Sequence, residues 1–249
     1  MEPPSYNGPR KKIHKALGPV YSRKKMALNV MKISEFNPAL IKFSDVRKNA
    51  RGGKMVYLNN TDGSKILLKL PQLKAPFGIS SFTEESGKVS SYSLPLSCDN
   101  AEVAVKFAQL DDRICNFVKD YSEELLGKKL SLEVIREMYK SPFKPSTKEG
   151  YAPLLNLKVI MDPATGAIKT EFYDAKGVDV PLEQLEREKG QLMTTLIEIA
   201  QIWRTPAGFG VSVRVRQAKV AASNKIPARA LIDEDDVEEE EVEEETFDE

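Results

Sequence analysis

Apolar positions along this chain change period several times, and each change predicts an element. Val103, Phe107, Leu110, Ile114, Phe117 and Tyr121 recur at steps of four and three, the spacing of one helical face. Asp99 with Glu102 three residues on matches a capping box, and Gly127 supplies a stop. A shorter helix is expected over 131–139, before the breakers Pro142 and Pro145. Elsewhere the apolar residues alternate or form short blocks. Blocks 55–58 and 66–70 flank the turn-rich stretch 59–64; blocks 154–161 and 168–173 flank 162–166; blocks 192–203 and 209–220 flank 204–208. Each pair predicts a β-hairpin. Short extended pieces are expected at 79–82 and 92–97. There is no internal repeat. Three hairpins with a helical insertion predict a mainly β chain built as a compact, mostly antiparallel barrel, and fit a doubly wound parallel sheet poorly.

Charge divides the chain into unlike parts. The 249 residues hold 37 basic and 37 acidic side chains, for a net charge of zero. Residues 233–249 contain 13 acidic residues and no basic one, so residues 1–232 carry a net +13. The first 54 residues have 13 basic and 3 acidic side chains, with the clusters Arg10-Lys11-Lys12 and Arg23-Lys24-Lys25. The expected organisation is a flexible basic arm over 1–30, a folded body over 31–222 and a disordered acidic tail over 223–249. A basic body beside an acidic tail points to a polyanion as partner.

Several classes of chemistry are disfavoured. With one histidine, His14, neither a two-His metal site nor a Ser-His-Asp triad can be assembled. Two cysteines, Cys98 and Cys115, build no disulfide scaffold, which suits a reducing compartment. There is no phosphate-binding GxxxxGK[ST] loop, and Gly208-Phe-Gly210 leads into a strand where a dinucleotide fingerprint needs a helix. The acidic pairs and groups Asp111-Asp112 and Glu183/Glu186/Glu188 lie among lysines. The expectation is therefore a non-enzyme without cofactor or metal. No membrane span or signal peptide is expected, since no run approaches 18 apolar residues.

The last strand carries the strongest chemical signal. In residues 211–219, Val211, Val213 and Val215 alternate with Ser212, Arg214 and Arg216, which puts arginines on one face of the strand. Arginines on an exposed sheet face suit phosphate contact, and aromatics interleaved with cations suit stacking of unpaired bases. On that reading Lys69, Lys74, Lys158, Arg204, Arg214 and Arg216 neutralise phosphates, and Phe77, Phe82, Tyr92 and Phe209 offer stacking surfaces. Trp203, the only tryptophan, ends an apolar strand and is read as a core anchor.

A set of segments in this order resembles a known family. They are Lys74-Ala-Pro-Phe-Gly78, Tyr92-Ser-Leu-Pro-Leu-Ser97, the helix bearing Phe107, Leu110 and Asp111, then Trp203 and the run from Phe209 to Val220. Together, over residues 38–220, they resemble the single-stranded DNA-binding proteins of nucleocytoplasmic large DNA viruses. The resemblance implies an OB-like antiparallel Greek-key barrel that coats single-stranded DNA in viral replication, repair or recombination. It also implies an intracellular site of action, the infected-cell nucleus or a cytoplasmic replication site, with the virion as an alternative. RNA remains open as a second ligand. The tail resembles the acidic, aromatic-bearing tails of phage and bacterial single-stranded DNA-binding proteins. Its candidate contacts to polymerase, helicase or other partners are Asp233, Asp235, Asp236, Glu240, Glu244 and Phe247, although Asp248 and Glu249 follow the aromatic. Two other readings fit the same charges: a virion-internal genome-packaging protein, and an acidic-tailed chaperone of basic proteins.

A tethered acidic tail reaches about millimolar effective concentration near a basic groove and so competes with DNA in cis. Deleting residues 233–249 is expected to raise single-strand affinity at low salt, measured by fluorescence anisotropy; an unchanged affinity would reduce the tail to a solubility device.

Overall fold

A computed structural model describes residues 29–48, 52–146, 149–162 and 164–221. The expected arm up to residue 28 and the expected tail over 223–249, with all six of its candidate partner contacts, lie outside the described residues. In chain order the strands are β1 (Val30–Lys32), β2 (Lys42–Phe43), β3 (Arg47–Lys48), β4 (Lys54–Asn59), β5 (Ile66–Ala75), β6 (Ser80–Thr83) and β7 (Val89–Ser97). Three helices follow, α1 (Ala101–Asp120), α2 (Ser122–Leu126) and α3 (Leu132–Met138). Then come β8 (Tyr139–Lys140), β9 (Phe143–Lys144), β10 (Leu154–Val159), β11 (Glu171–Tyr173), α4 (Leu182–Arg187), β12 (Gln191–Thr205) and β13 (Gly208–Val220).

The sheet is organised by its last two strands. β12 and β13 form the expected third hairpin, registered from Met193 opposite Val220 to Thr205 opposite Gly208. Alternation sets its inner face: Ile197 pairs with Val215, Ile199 with Val213 and Ile202 with Val211, all buried. Two register shifts interrupt the ladder, between Leu196 and Ile197 and between Ile199 and Gln201. Each inserts a residue into one strand and increases its bend, which helps the sheet to curl.

The outer edges of this hairpin are shared among shorter strands. Along β12, β4 pairs with 201–203 and β5 with 191–199, both antiparallel. Along β13 lie β8, β10 and β11, all parallel to it. This corrects two expectations. Residues 59–64 do turn, with the Asn60 N–H donating to the Ser64 carbonyl at 2.9 Å, but β4 and β5 meet only at the single bridge Asn59–Lys65. They continue one another along β12 instead of pairing. Likewise the turn at 162–166 forms, with the Gly166 N–H donating to the Asp162 carbonyl at 2.8 Å, but pairing across it stops at the bridge Met161–Ile168, and β10 and β11 follow one another along β13. The reason is competition: the open edge of a long strand offers more hydrogen bonds than a short local hairpin does.

Strands β5, β7, β10, β13 and β12 close a ring through the β5–β12 pairing. Its weakest seam is β5–β7, where Lys74 pairs with Ser97. The sheet is mixed, not all antiparallel, because β1 runs parallel to β5, and β8, β10 and β11 run parallel to β13.

The helical insertion closes the core. The Asn100 side chain, and not Asp99, caps α1, accepting the Val103 N–H at 3.0 Å. Val103, Phe107, Leu110 and Ile114 are fully buried in the same cluster as the barrel residues, while Tyr121 lies exposed at the end of the stripe. Gly127 ends α2 in the left-handed region, and Ser131 caps α3. Asp111 ties this layer to the sheet, accepting the Tyr139 and Ser141 hydroxyls, each at 2.6 Å. Burial raises its carboxyl above the usual range. Asp112 bonds to Arg136 at 2.9 Å. Both cysteines are free and buried.

Close approach makes one glycine indispensable. A Cβ at Gly210 would meet the Lys140 carbonyl oxygen and the Trp203 ring, each at 2.6 Å. Gly210→Ala is expected to cost about 1–3 kcal/mol through overpacking. A thermal scan should show a Tm lower by several degrees, and an unchanged Tm would mean that the ring and strand β8 yield freely.

Candidate functional site

Cross-strand register decides which side chains share the outer face. Outside the barrel, Glu198 on β12 stands opposite Arg214 on β13, and Arg214 is registered with Lys158 on β10, itself opposite Ser93 on β7. Two same-face positions further along the ladder, beyond Gln201 opposite Ser212, Trp203 pairs with Gly210, which is registered with Lys140. The absence of a Cβ at Gly210 lets the half-buried indole lie across the strand, and the Lys158 ammonium sits over it, 5.8 Å from the ring centroid. Partial burial, followed by the nearby Arg214 guanidinium, lowers the pKa of Lys158. Among the described residues neither Lys158 nor Arg214 enters an ion pair, so both cations remain available to an anion.

Arg216 is placed differently from the sequence expectation. It falls at a register shift and its guanidinium is ion-paired with Glu198, whose carboxylate is buried and also receives Lys65 at 3.2 Å. A carboxylate buried in a sheet needs such partners, so Arg216 is largely committed to the fold. Phe209 is corrected outright. It is 1% exposed, faces inward and packs on Tyr139 with ring centroids 5.3 Å apart. Arg204 pairs across from Phe209 and therefore stands on the side opposite Trp203, its guanidinium 3.5 Å from the Leu126 carbonyl. Tyr92 aligns with Val159 on the inner side of β7, is half-buried and packs against the core.

The other expected residues stay at the surface. Lys69 is exposed between Lys32 on β1 and Leu196 on β12; Lys74 is exposed at the β5–β7 seam, opposite Leu192. Phe77 (54% exposed) lies in the link from β5 to β6. Phe82 (64% exposed) pairs with Ser91 beside the tight turn at Glu84 to Gly87, whose acids make that corner suited to stacking more than to phosphate contact.

The site that geometry assembles is therefore Lys158, Arg214 and Trp203, with Phe82 on a flanking hairpin and Lys69 and Lys74 further along β5. Trp203 reads as a core anchor in the sequence because it ends an apolar run. The signal that places it is the spacing of the inward isoleucines, 197, 199 and then 202: the step of three marks a bulge and turns Trp203 outward. Among the described residues, no group of three or more His, Cys, Asp and Glu side chains could hold a metal ion, and no helix is long and apolar enough to cross a membrane.

Among solved structures, the chain is similar to a single-stranded DNA-binding protein encoded by bacteriophage T7, at 14% identity and a TM-score of 0.41 over 71% of this chain and 97% of that one. It is also similar to the single-stranded DNA-binding protein of bacteriophage Enc34, at 10% identity and a TM-score of 0.39 over 78% and 98% of the two chains. The same Enc34 protein in complex with single-stranded DNA matches at 10% identity, with a TM-score of 0.39 over 72% and 96%. No curated protein matches the sequence. A family model covers residues 87–230, more than half of the chain and including β10, β12 and β13, and the chain accordingly belongs to that family, described as a family of unknown function (DUF5871).

Proposed function

We propose that this chain is a non-catalytic, sequence-tolerant single-stranded DNA-binding protein of a large DNA virus, acting in replication, repair or recombination at an intracellular site. The observation that carries the reading is the outer-face cluster in which the Lys158 ammonium lies over the Trp203 ring beside Arg214, which enters no ion pair among the described residues. An aromatic face flanked by two available cations offers a base a stacking surface and its phosphates two counter-charges, with no group that reads base identity.

The strand order supports an OB-type barrel. β5, β7, β10, β13 and β12 close a five-stranded ring in which the neighbours β10 and β13 run parallel. In OB barrels the second and third strands and the first and last inter-strand loops bind oligonucleotides. Here those strands are β7 and β10, which carry Ser93 and Lys158, and the first loop carries Phe77 and Phe82. The viral assignment rests on the resemblance of the segments between residues 38 and 220. On this reading the acidic tail competes with DNA for the same cations and, once displaced, recruits polymerase, helicase or other partners.

Anisotropy with matched single- and double-stranded oligonucleotides tests the proposal. The expected result is preference for the single strand and a log–log salt slope of roughly −0.7 per neutralised phosphate. A near-flat salt response, or preference for duplex, would overturn it. Arg214→Glu should weaken single-strand binding about tenfold or more and make the slope shallower by roughly 0.7. Trp203→Ala should remove about 1–3 kcal/mol of binding with little change in slope, because stacking releases no counterions. If the two variants shifted the slope equally, the separate roles of ring and cation would be wrong.

A further inference from the structure

The outer face does not end at Trp203. Across β12, Trp203 pairs with Met55 on β4, and Met55 pairs in turn with Arg47 on β3. The neighbouring position Gln201 pairs with Tyr57, so Tyr57 and Trp203 point to the same side. Tyr57 is 38% exposed, and the Arg47 guanidinium lies over its ring, 5.9 Å from the centroid. The arrangement repeats that of Lys158 over Trp203. Two aromatic faces, each accompanied by a cation, thus stand on adjacent strands as diagonal neighbours, a separation of about 7–8 Å.

The backbone under Tyr57 is held from both directions. Its N–H donates to the Ser44 hydroxyl and its carbonyl accepts the Ser44 N–H, both at 2.9 Å. That pins β4 to the link between β2 and β3 and limits the ordering needed when the ring is used. Lys48, exposed and registered with Lys54, adds charge next to Arg47. Lys54 itself donates to the Glu124 carbonyl, and Lys42 to the Thr61 carbonyl, so both are partly engaged.

We infer that Tyr57 with Arg47 is a second base-stacking station, and that a single strand crosses the barrel from the Lys158–Trp203 unit over β12 onto the β3–β4 pair. The occupant follows from charge and shape: an exposed ring under a guanidinium, next to a further cation, suits a planar base on an anionic backbone. An acidic peptide would satisfy the cations and leave the ring unused. The inference rests on the single-strand reading proposed above and extends its footprint to residues before the region that the family model covers.

The chain's only tryptophan makes the two stations separable. Quenching of Trp203 fluorescence reports occupancy of the first station, and two oligothymidylates serve as probes, one of about 4 nucleotides and one of about 12. In Tyr57→Ala the short probe should bind and quench as in the unaltered chain. The long probe should lose roughly 5- to 100-fold in affinity, the range for losing one stacked base. Tyr57→Phe should restore the long-probe affinity, since the ring is kept. Arg47→Ala, which leaves the ring in place, should make the long-probe salt slope shallower by roughly 0.7 and leave the short probe unaffected. Equal effects of Tyr57→Ala on both probes, or none on either while the unaltered chain binds and quenches, would overturn the second station alone. Absence of binding by the unaltered chain would overturn the single-strand reading beneath it.

Discussion

The ladder between β12 and β13 is the constraint on which the rest of the structure depends. At 15 and 13 residues these strands are far longer than the five or six typical of globular sheets. Long strands joined by a tight turn form their pairing locally, without an entropic penalty for closing a large loop. Once paired, they expose two long edges of unsatisfied N–H and C=O groups, and the remaining strands are those that satisfy them. The barrel closes because the first of these strands, β5, also reaches β7.

The same ladder sets the electrostatics of the outer face. Its register brings Glu198, Arg214 and Lys158 into one row across three strands. Buried Glu198 is neutralised by Lys65 and Arg216, so among the described residues Arg214 and Lys158 have no carboxylate in ion-pair contact. Two arginines two positions apart are therefore placed differently. Arg216 closes a buried charge, and Arg214 is left over. The indole depends on the same register, because only a glycine at position 210 leaves room for it.

Much of this was legible in the sequence. The α1 stripe is visible because helical spacing is a local property, and the β12–β13 hairpin because both strands and their turn are contiguous. The alternation of Val211, Val213 and Val215 correctly placed Arg214 outward. What failed was non-local. Nothing in 55–70 or 154–173 shows that their two halves will line up along a distant strand instead of pairing together. Trp203 faces outward, and Arg204 the opposite way, because a bulge near Ala200 reverses the facing of everything after it. Phe209 faces inward because it continues the alternation of Val211, Val213 and Val215. For Arg216, alternation alone could not reveal that a buried glutamate from the neighbouring strand would claim it.

The end-to-end arrangement of strands along one ladder also bears on how such a chain can vary. Where β4 passes to β5 and where β10 passes to β11, strands separated by six and eleven residues pair with successive stretches of the same edge. Residues added in either connection lengthen a surface loop without altering the pairing before or after it, and loop-closure entropy grows only slowly with length. The two junctions are thus natural points for insertions among related chains. They are also places where the polypeptide can be nicked or locally opened while the long ladder stays intact.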